Sequence, residues 1–110
     1  MRDERLLLDE ILGALDRIGS STRGMTSESF AADETIHNEV CENFLIIAEA
    51  AGALPGTVTG NYPEIPWRQI AGISGKLPCA SFAVDYELVW RTVTVVLPQF
   101  RAVIETIRES

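Results

Sequence analysis

The sequence predicts an all-α fold, an antiparallel up-and-down bundle of four main helices, on three observations. Apolar residues recur at intervals of three and four along the long stretches. N-cap residue types stand where two of the later stretches begin, and glycine or proline stands where the first two end. The breaks between stretches are mostly short, as antiparallel neighbours require. With 46% hydrophobic residues in 110, the chain can bury a single core, and residues 1–110 are expected to form one domain.

From Asp3 to Gly19 the positions Leu7, Leu8, Ile11, Leu12, Leu15 and Ile18 make one stripe of an amphipathic helix, which Gly19 and the serines after it are expected to stop. Thr26 is the N-cap of a second helix, with Met25 and Phe30 placed to close over it as a hydrophobic staple. Asp33 offers a second cap, which would make the opening a short separate turn. Ile36, Val40, Phe44, Ile47 and Ala51 then continue one face until Gly52 and Pro55 end it.

Residues 55–66, with Gly56, Gly60, Pro63 and Pro66, form the one long connection. Pro66 suits the first turn of a short third helix carrying Trp67, Ile70 and Ala71. Gly75 and Pro78 are poor helix formers, so Gly72 to Ser81 is expected to be a loop. Asp85 caps a last helix with the stripe Val89, Val93, Val96, Leu97, Phe100, Val103, Ile104 and Ile107. Pro98 must kink or split that helix, because its ring collides with the carbonyl of Thr94.

Composition excludes several function classes. Nine basic against 16 acidic residues give a net charge of −7, which repels a phosphate backbone unless the few arginines converge. No apolar run reaches the roughly 20 residues that span a bilayer, so no membrane role is expected. Cys41 and Cys79 form no CxxC pair, and the polar start Arg2-Asp3-Glu4-Arg5 does not look like a secretory leader; a reducing cytoplasm is the simplest home.

The chemically suggestive residues each have a duller alternative. Asp33, His37 and Cys41 follow one another at helical intervals of four, a spacing used by metal ligands, but a closed zinc site needs four ligands, and His37 fits better at the edge of the apolar face or at a dimer seam. Glu42 and Glu49 share a helix face as a solvated pair of carboxylates would. Trp67 and Trp90 could stack on a base, yet they stand among Ile70, Val89 and Val93 at core spacing. Arg68, Lys76 and Arg91 would make a basic patch only if the fold gathers them. No cofactor or metal is expected.

Two blocks carry a resemblance: Pro63-Glu64-Ile65-Pro66-Trp67-Arg68-Gln69-Ile70-Ala71-Gly72 and Phe82-Ala83-Val84-Asp85-Tyr86-Glu87-Leu88-Val89-Trp90. With the Arg-Asp start, Gly24-Met25 followed by Phe30 and Asp33, and Asn43 to Ala51 leading into Leu54-Pro55, the sequence resembles the HepT-like toxins of the HEPN superfamily over nearly its whole length. The resemblance implies a homodimer encoded beside a minimal nucleotidyltransferase antitoxin. It also implies a metal-independent ribonuclease whose Arg-x-x-x-x-His-x-Tyr motif lies between the two blocks, with a tyrosine that the partner modifies with AMP. Histidine would exchange a proton with the ribose hydroxyl near neutral pH, and arginine would hold the scissile phosphate.

Here the three motif slots hold Ser74, Cys79 and Ser81. A neutral hydroxyl at Ser74 cannot replace a guanidinium, and losing one such electrostatic donor costs about 10²–10³ in rate. Cys79 would serve as a base only if a neighbour such as Lys76 lowered its thiol pKa. Ser81 keeps a hydroxyl but not a phenol. Three functions follow as expectations: a toxin–antitoxin binding module with a degenerate ribonuclease centre; an active endoribonuclease using Cys79 and its neighbours; or an orphan helical dimer. RNA would be a ligand only of the active form, and DNA of none.

Overall fold

The computed structural model describes residues 3–68 and 86–109, and no strand occurs among them. In chain order the elements are α1 (Glu4–Thr22), α2 (Ser27–Ala32), α3 (Glu34–Ala53), the short α4 (Gly56–Thr59), α5 (Tyr86–Arg91), a π-helical segment (Thr92–Val96) and α6 (Leu97–Glu109). Side-chain bonds fix the directions. Arg17 bonds to Asn43 and Ser21 to Glu39, so α3 runs antiparallel to α1; Asp16 pairs with Arg101 and Asp9 with Arg108, so α6 does too. The predicted all-α antiparallel bundle is the observed one. The short helix expected after Pro66 has begun at Trp67 and Arg68. Its Ile70 and Ala71, the loop from Gly72 to Ser81 and the cap at Asp85 lie outside the described residues.

Local chemistry sets the helix starts. The Asp3 carboxylate accepts the N–H of Arg5 at 3.1 Å and caps α1. Thr26 and Ser29 form a reciprocal capping box, with the Ser29 N–H donating to Thr26 Oγ1 at 3.1 Å and the Thr26 N–H to Ser29 Oγ at 2.9 Å. Phe30, one arm of the predicted staple, is fully buried, and Met25 packs half-buried against the core. Asp33 does cap again: its carboxylate accepts the Ile36 N–H at 3.1 Å, so α2 and α3 are separate helices.

Two sequence expectations need correction. Helix α1 does not stop at Gly19 but continues to Thr22, whose hydroxyl donates to the Ile18 carbonyl at 2.8 Å. The turn comes at Gly24, which takes a φ of +76° that a side chain would strain. Val96, assigned to the last helix's apolar stripe, is 39% exposed. Its displacement follows from Pro98. A proline cannot donate to the carbonyl four residues back, and its ring crowds that carbonyl. The chain inserts a π turn just before it, in which the Leu97 N–H donates to Thr92, five residues back. The extra residue shifts the helical phase, so Val89 and Phe100 are both buried while Val95 and Val96 turn outward.

The core gathers Leu8, Ile11 and Ile18 of α1, Phe30 of α2, Val40 and Phe44 of α3, Val89 of α5, and Phe100 and Ile104 of α6. Asn43 sits at its edge, 9% exposed, with Oδ1 accepting from Arg17 Nε at 2.8 Å and Nδ2 donating to the Glu39 carbonyl at 2.9 Å. Among the described residues no buried side-chain polar atom lacks a partner.

Removing the second cap with Asp33→Ala should cost about 1 kcal/mol and lower the melting temperature by about 4 °C. Truncating Phe30→Ala should cost about 3–5 kcal/mol. Thermal melts followed by far-UV circular dichroism check both; a Phe30→Ala protein as stable as its parent would contradict the burial.

Candidate functional site

The three motif slots, Ser74, Cys79 and Ser81, and the neighbouring Lys76 lie outside the described residues. The structure does describe the helical ends on either side of that segment, and both are fixed by tryptophan. On the entering side, Trp67 donates its indole N–H to the Tyr62 carbonyl at 3.0 Å and meets Phe100 of α6 edge-on, with ring centroids 5.8 Å apart. On the leaving side, Trp90 of α5 lies 5.2 Å from Phe30, which lies 5.7 Å from His37 of α3. Both tryptophans are half-buried against the core, as their spacing suggested. Stacking and edge contacts of this kind hold ring orientation as well as area, so the described chain at Trp67 and at Trp90 is fixed against the core.

The other candidates separate by burial. Glu42 and Glu49 are exposed, as a solvated face requires. Arg68 and Arg91 are exposed, so both are available to a ligand in solvent. Asp33, His37 and Cys41 do not converge: the Asp33 carboxylate is turned to its own helix as a cap, and no group of three metal-ligating residues occurs among the described residues. The Cys41 sulfur lies 3.8 Å from His37 Nε2, but Cys41 is disulfide-bonded and is therefore not a thiolate ligand.

His37 is 3% exposed and packs into the aromatic column against Phe30. Burial strips water from the imidazolium and holds the group below the ordinary histidine range, opposed by a hydrogen bond to Asn38 and the charge of Glu34. The sequence did not point to the Arg17–Asn43 pair. Its one signal was an asparagine among the apolar residues Val40, Phe44 and Ile47.

The described residues form an all-helical bundle, and comparison with known proteins names its class. The family model for ribonuclease HepT-like proteins matches residues 11–107, and the chain belongs to that family. A "Probable ribonuclease HepT" of Thermococcus cleftensis is 32% identical over 98% of this chain and 98% of its own. A "Putative RNase" of Methanocaldococcus jannaschii is 33% identical over 96% of this chain and 91% of its own. Another protein of that description, from Caldanaerobacter subterraneus subsp. tengcongensis, is 27% identical over 100% of this chain and 98% of its own. No solved structure matches.

The lowered pKa of His37 has a definite sign. The unfolded chain takes up the proton first, so stability is full above about pH 6.5 and declines as pH falls from there to the folded pKa. Urea unfolding midpoints measured from pH 7.5 to 5 should show this decline, and His37→Phe should flatten it. An unchanged slope in the variant would assign the decline to other groups.

Proposed function

We propose that this protein is the HepT-like half of a toxin–antitoxin pair, a homodimer that docks a minimal nucleotidyltransferase and has lost the ribonuclease chemistry of its family. The observation that carries the proposal is the replacement of arginine, histidine and tyrosine at the motif slots by Ser74, Cys79 and Ser81. None of the three brings a cation, and none brings a group that titrates near neutral pH without a perturbed pKa. Family membership along residues 11–107 supports the retained scaffold, and the net charge of −7 supports weak affinity for RNA on its own. Exposed Val95 and Val96, 48% and 39% accessible, leave apolar surface for a protein neighbour.

On this proposal residues 1–110 act as one domain in the cytoplasm. A disulfide at Cys41 is unusual for that compartment, where thiols are kept reduced. No described helix is long and apolar enough to cross a membrane. A second reading, an active endoribonuclease in which the Cys79 thiolate takes the proton beside Lys76, draws on the relatives described as ribonucleases.

The two readings part in one assay. Purified protein in metal-free buffer should leave RNA intact, and the triple variant Ser74→Arg, Cys79→His, Ser81→Tyr should cut it and arrest growth when expressed alone. Cleavage by the unaltered protein that disappears in Cys79→Ala would instead establish the second reading. Co-purification with a small nucleotidyltransferase encoded beside this chain checks the docking half of the proposal; separate elution would remove it.

A further inference from the structure

One turn of α3 holds covalent chemistry that the fold does not require. Cys41 is disulfide-bonded, and no cysteine among the described residues is free. The chain contains two cysteines, so the one other sulfur it can offer is that of Cys79, which lies outside the described residues.

The surroundings of Cys41 suit exchange better than a static staple. Cys41 is half-buried, so a small thiol can reach its sulfur from solvent. His37 stands one helical turn back, and its two ring nitrogens lie 3.8 and 4.0 Å from Cys41 Sγ. The imidazole is held there by the Phe30 ring, 5.7 Å away, and by its own burial at 3% exposure. Burial also keeps it neutral near pH 7, with a lone pair able to accept a thiol proton. A cysteine beside such a base forms thiolate, the species that attacks a disulfide.

We infer that Cys41 is a redox-modification site, whose disulfide closes on Cys79 of the same chain, opens and re-forms by exchange with a small thiol, and is served by His37 as a positioning base. In the closing direction with oxidised glutathione, the Cys41 proton passes to His37 and the thiolate attacks one glutathione sulfur. A mixed disulfide forms, and the first glutathione leaves as a thiolate that takes up a proton. The Cys79 thiolate then attacks Cys41 Sγ and displaces the second. Two electrons pass from the cysteine pair to oxidised glutathione, which becomes two reduced glutathiones. While the bond is closed, neither cysteine has a thiol to serve as a base. The inference does not rest on the proposed loss of cleavage, because thiol counts read it in either case.

The experiment incubates the full chain first with reduced and then with oxidised glutathione, counting alkylated thiols by mass. The count should go from zero to two and back to zero, and a peptide map of the oxidised protein should show Cys41 joined to Cys79 at the mass of one chain. The oxidised form should melt about 10 °C or more above the reduced one, because the cross-link restricts the unfolded chain. In the reduced protein, His37→Gln, with folding checked by circular dichroism, should slow alkylation of Cys41 by about tenfold or more. Where that variant does not fold, the glutathione cycle of the unaltered protein still decides. Two thiols that persist under oxidised glutathione, a bond that native protein keeps closed under reduced glutathione, or a bond between two chains overturns the inference. Equal alkylation of Cys41 in folded His37→Gln overturns the role of His37, and equal melting of the two forms overturns the cross-link.

Discussion

The packing of Phe30 is the constraint on which the described architecture turns. Its ring is fully buried and touches His37 of α3 on one side and Trp90 of α5 on the other, so a six-residue helix joins two parts of the chain distant in sequence. A helix that short has no stability of its own. It holds because the Thr26–Ser29 box caps its start, Asp33 ends it and opens α3, and Phe30 supplies apolar burial far larger than either cap contributes. The cost of placing a histidine in that column appears in its lowered pKa, a buried imidazole kept neutral by its surroundings.

A second constraint acts at Pro98. The C-terminal rod must keep Val89 and Phe100 on the core while passing a residue that cannot complete an α-helical bond. A π turn at Thr92–Val96 meets both demands, because one inserted residue moves the defect outward and rotates the helix by a fixed step. The ion pairs between α1 and α6, Asp16 with Arg101 and Asp9 with Arg108, hold register on the exposed side, where such pairs contribute at most about 1 kcal/mol each. Apolar burial decides the fold, and the ion pairs orient it.

Much of this was legible in the residues. The stripe Leu7–Ile18, the caps at Thr26 and Asp33 and the face Val40–Phe44–Ile47 follow local rules, in which spacing and side-chain chemistry leave one answer. The misplaced end of α1 and the misplaced Val96 come from effects that spacing does not encode. Gly19 stays helical because tertiary packing of α1 outweighs its modest propensity cost, and Val96 leaves the core because proline can be absorbed by a change of helix type as well as by a kink. At the candidate site, the two tryptophans read correctly as core because apolar neighbours at helical spacing are a strong signal. The lack of a carboxylate among the described residues lining a cavity beside Arg68, walled by Leu54, Pro63 and Trp67, did not appear, since it depends on which carboxylates the fold carries to the other faces.

Cation allocation bears directly on what the scaffold can do with RNA. Of its nine basic residues, Arg17 is engaged with Asn43, Arg101 with Asp16 and Glu105, and Arg108 with Asp9. These arginines serve the bundle, and moving them to a phosphate would break contacts between helices. Catalysis on a polyanion therefore depends on cations that the fold leaves uncommitted, Arg68 and Arg91 among them. On the proposed reading of the motif, Ser74 brings no charge to a phosphate. A guanidinium outside the motif can still bind a phosphate, but stabilising a transition state requires a donor placed where charge develops. That difference separates affinity for a phosphate from cleavage beside one, since the first asks only for an exposed cation and the second for a cation in register with the reacting bond.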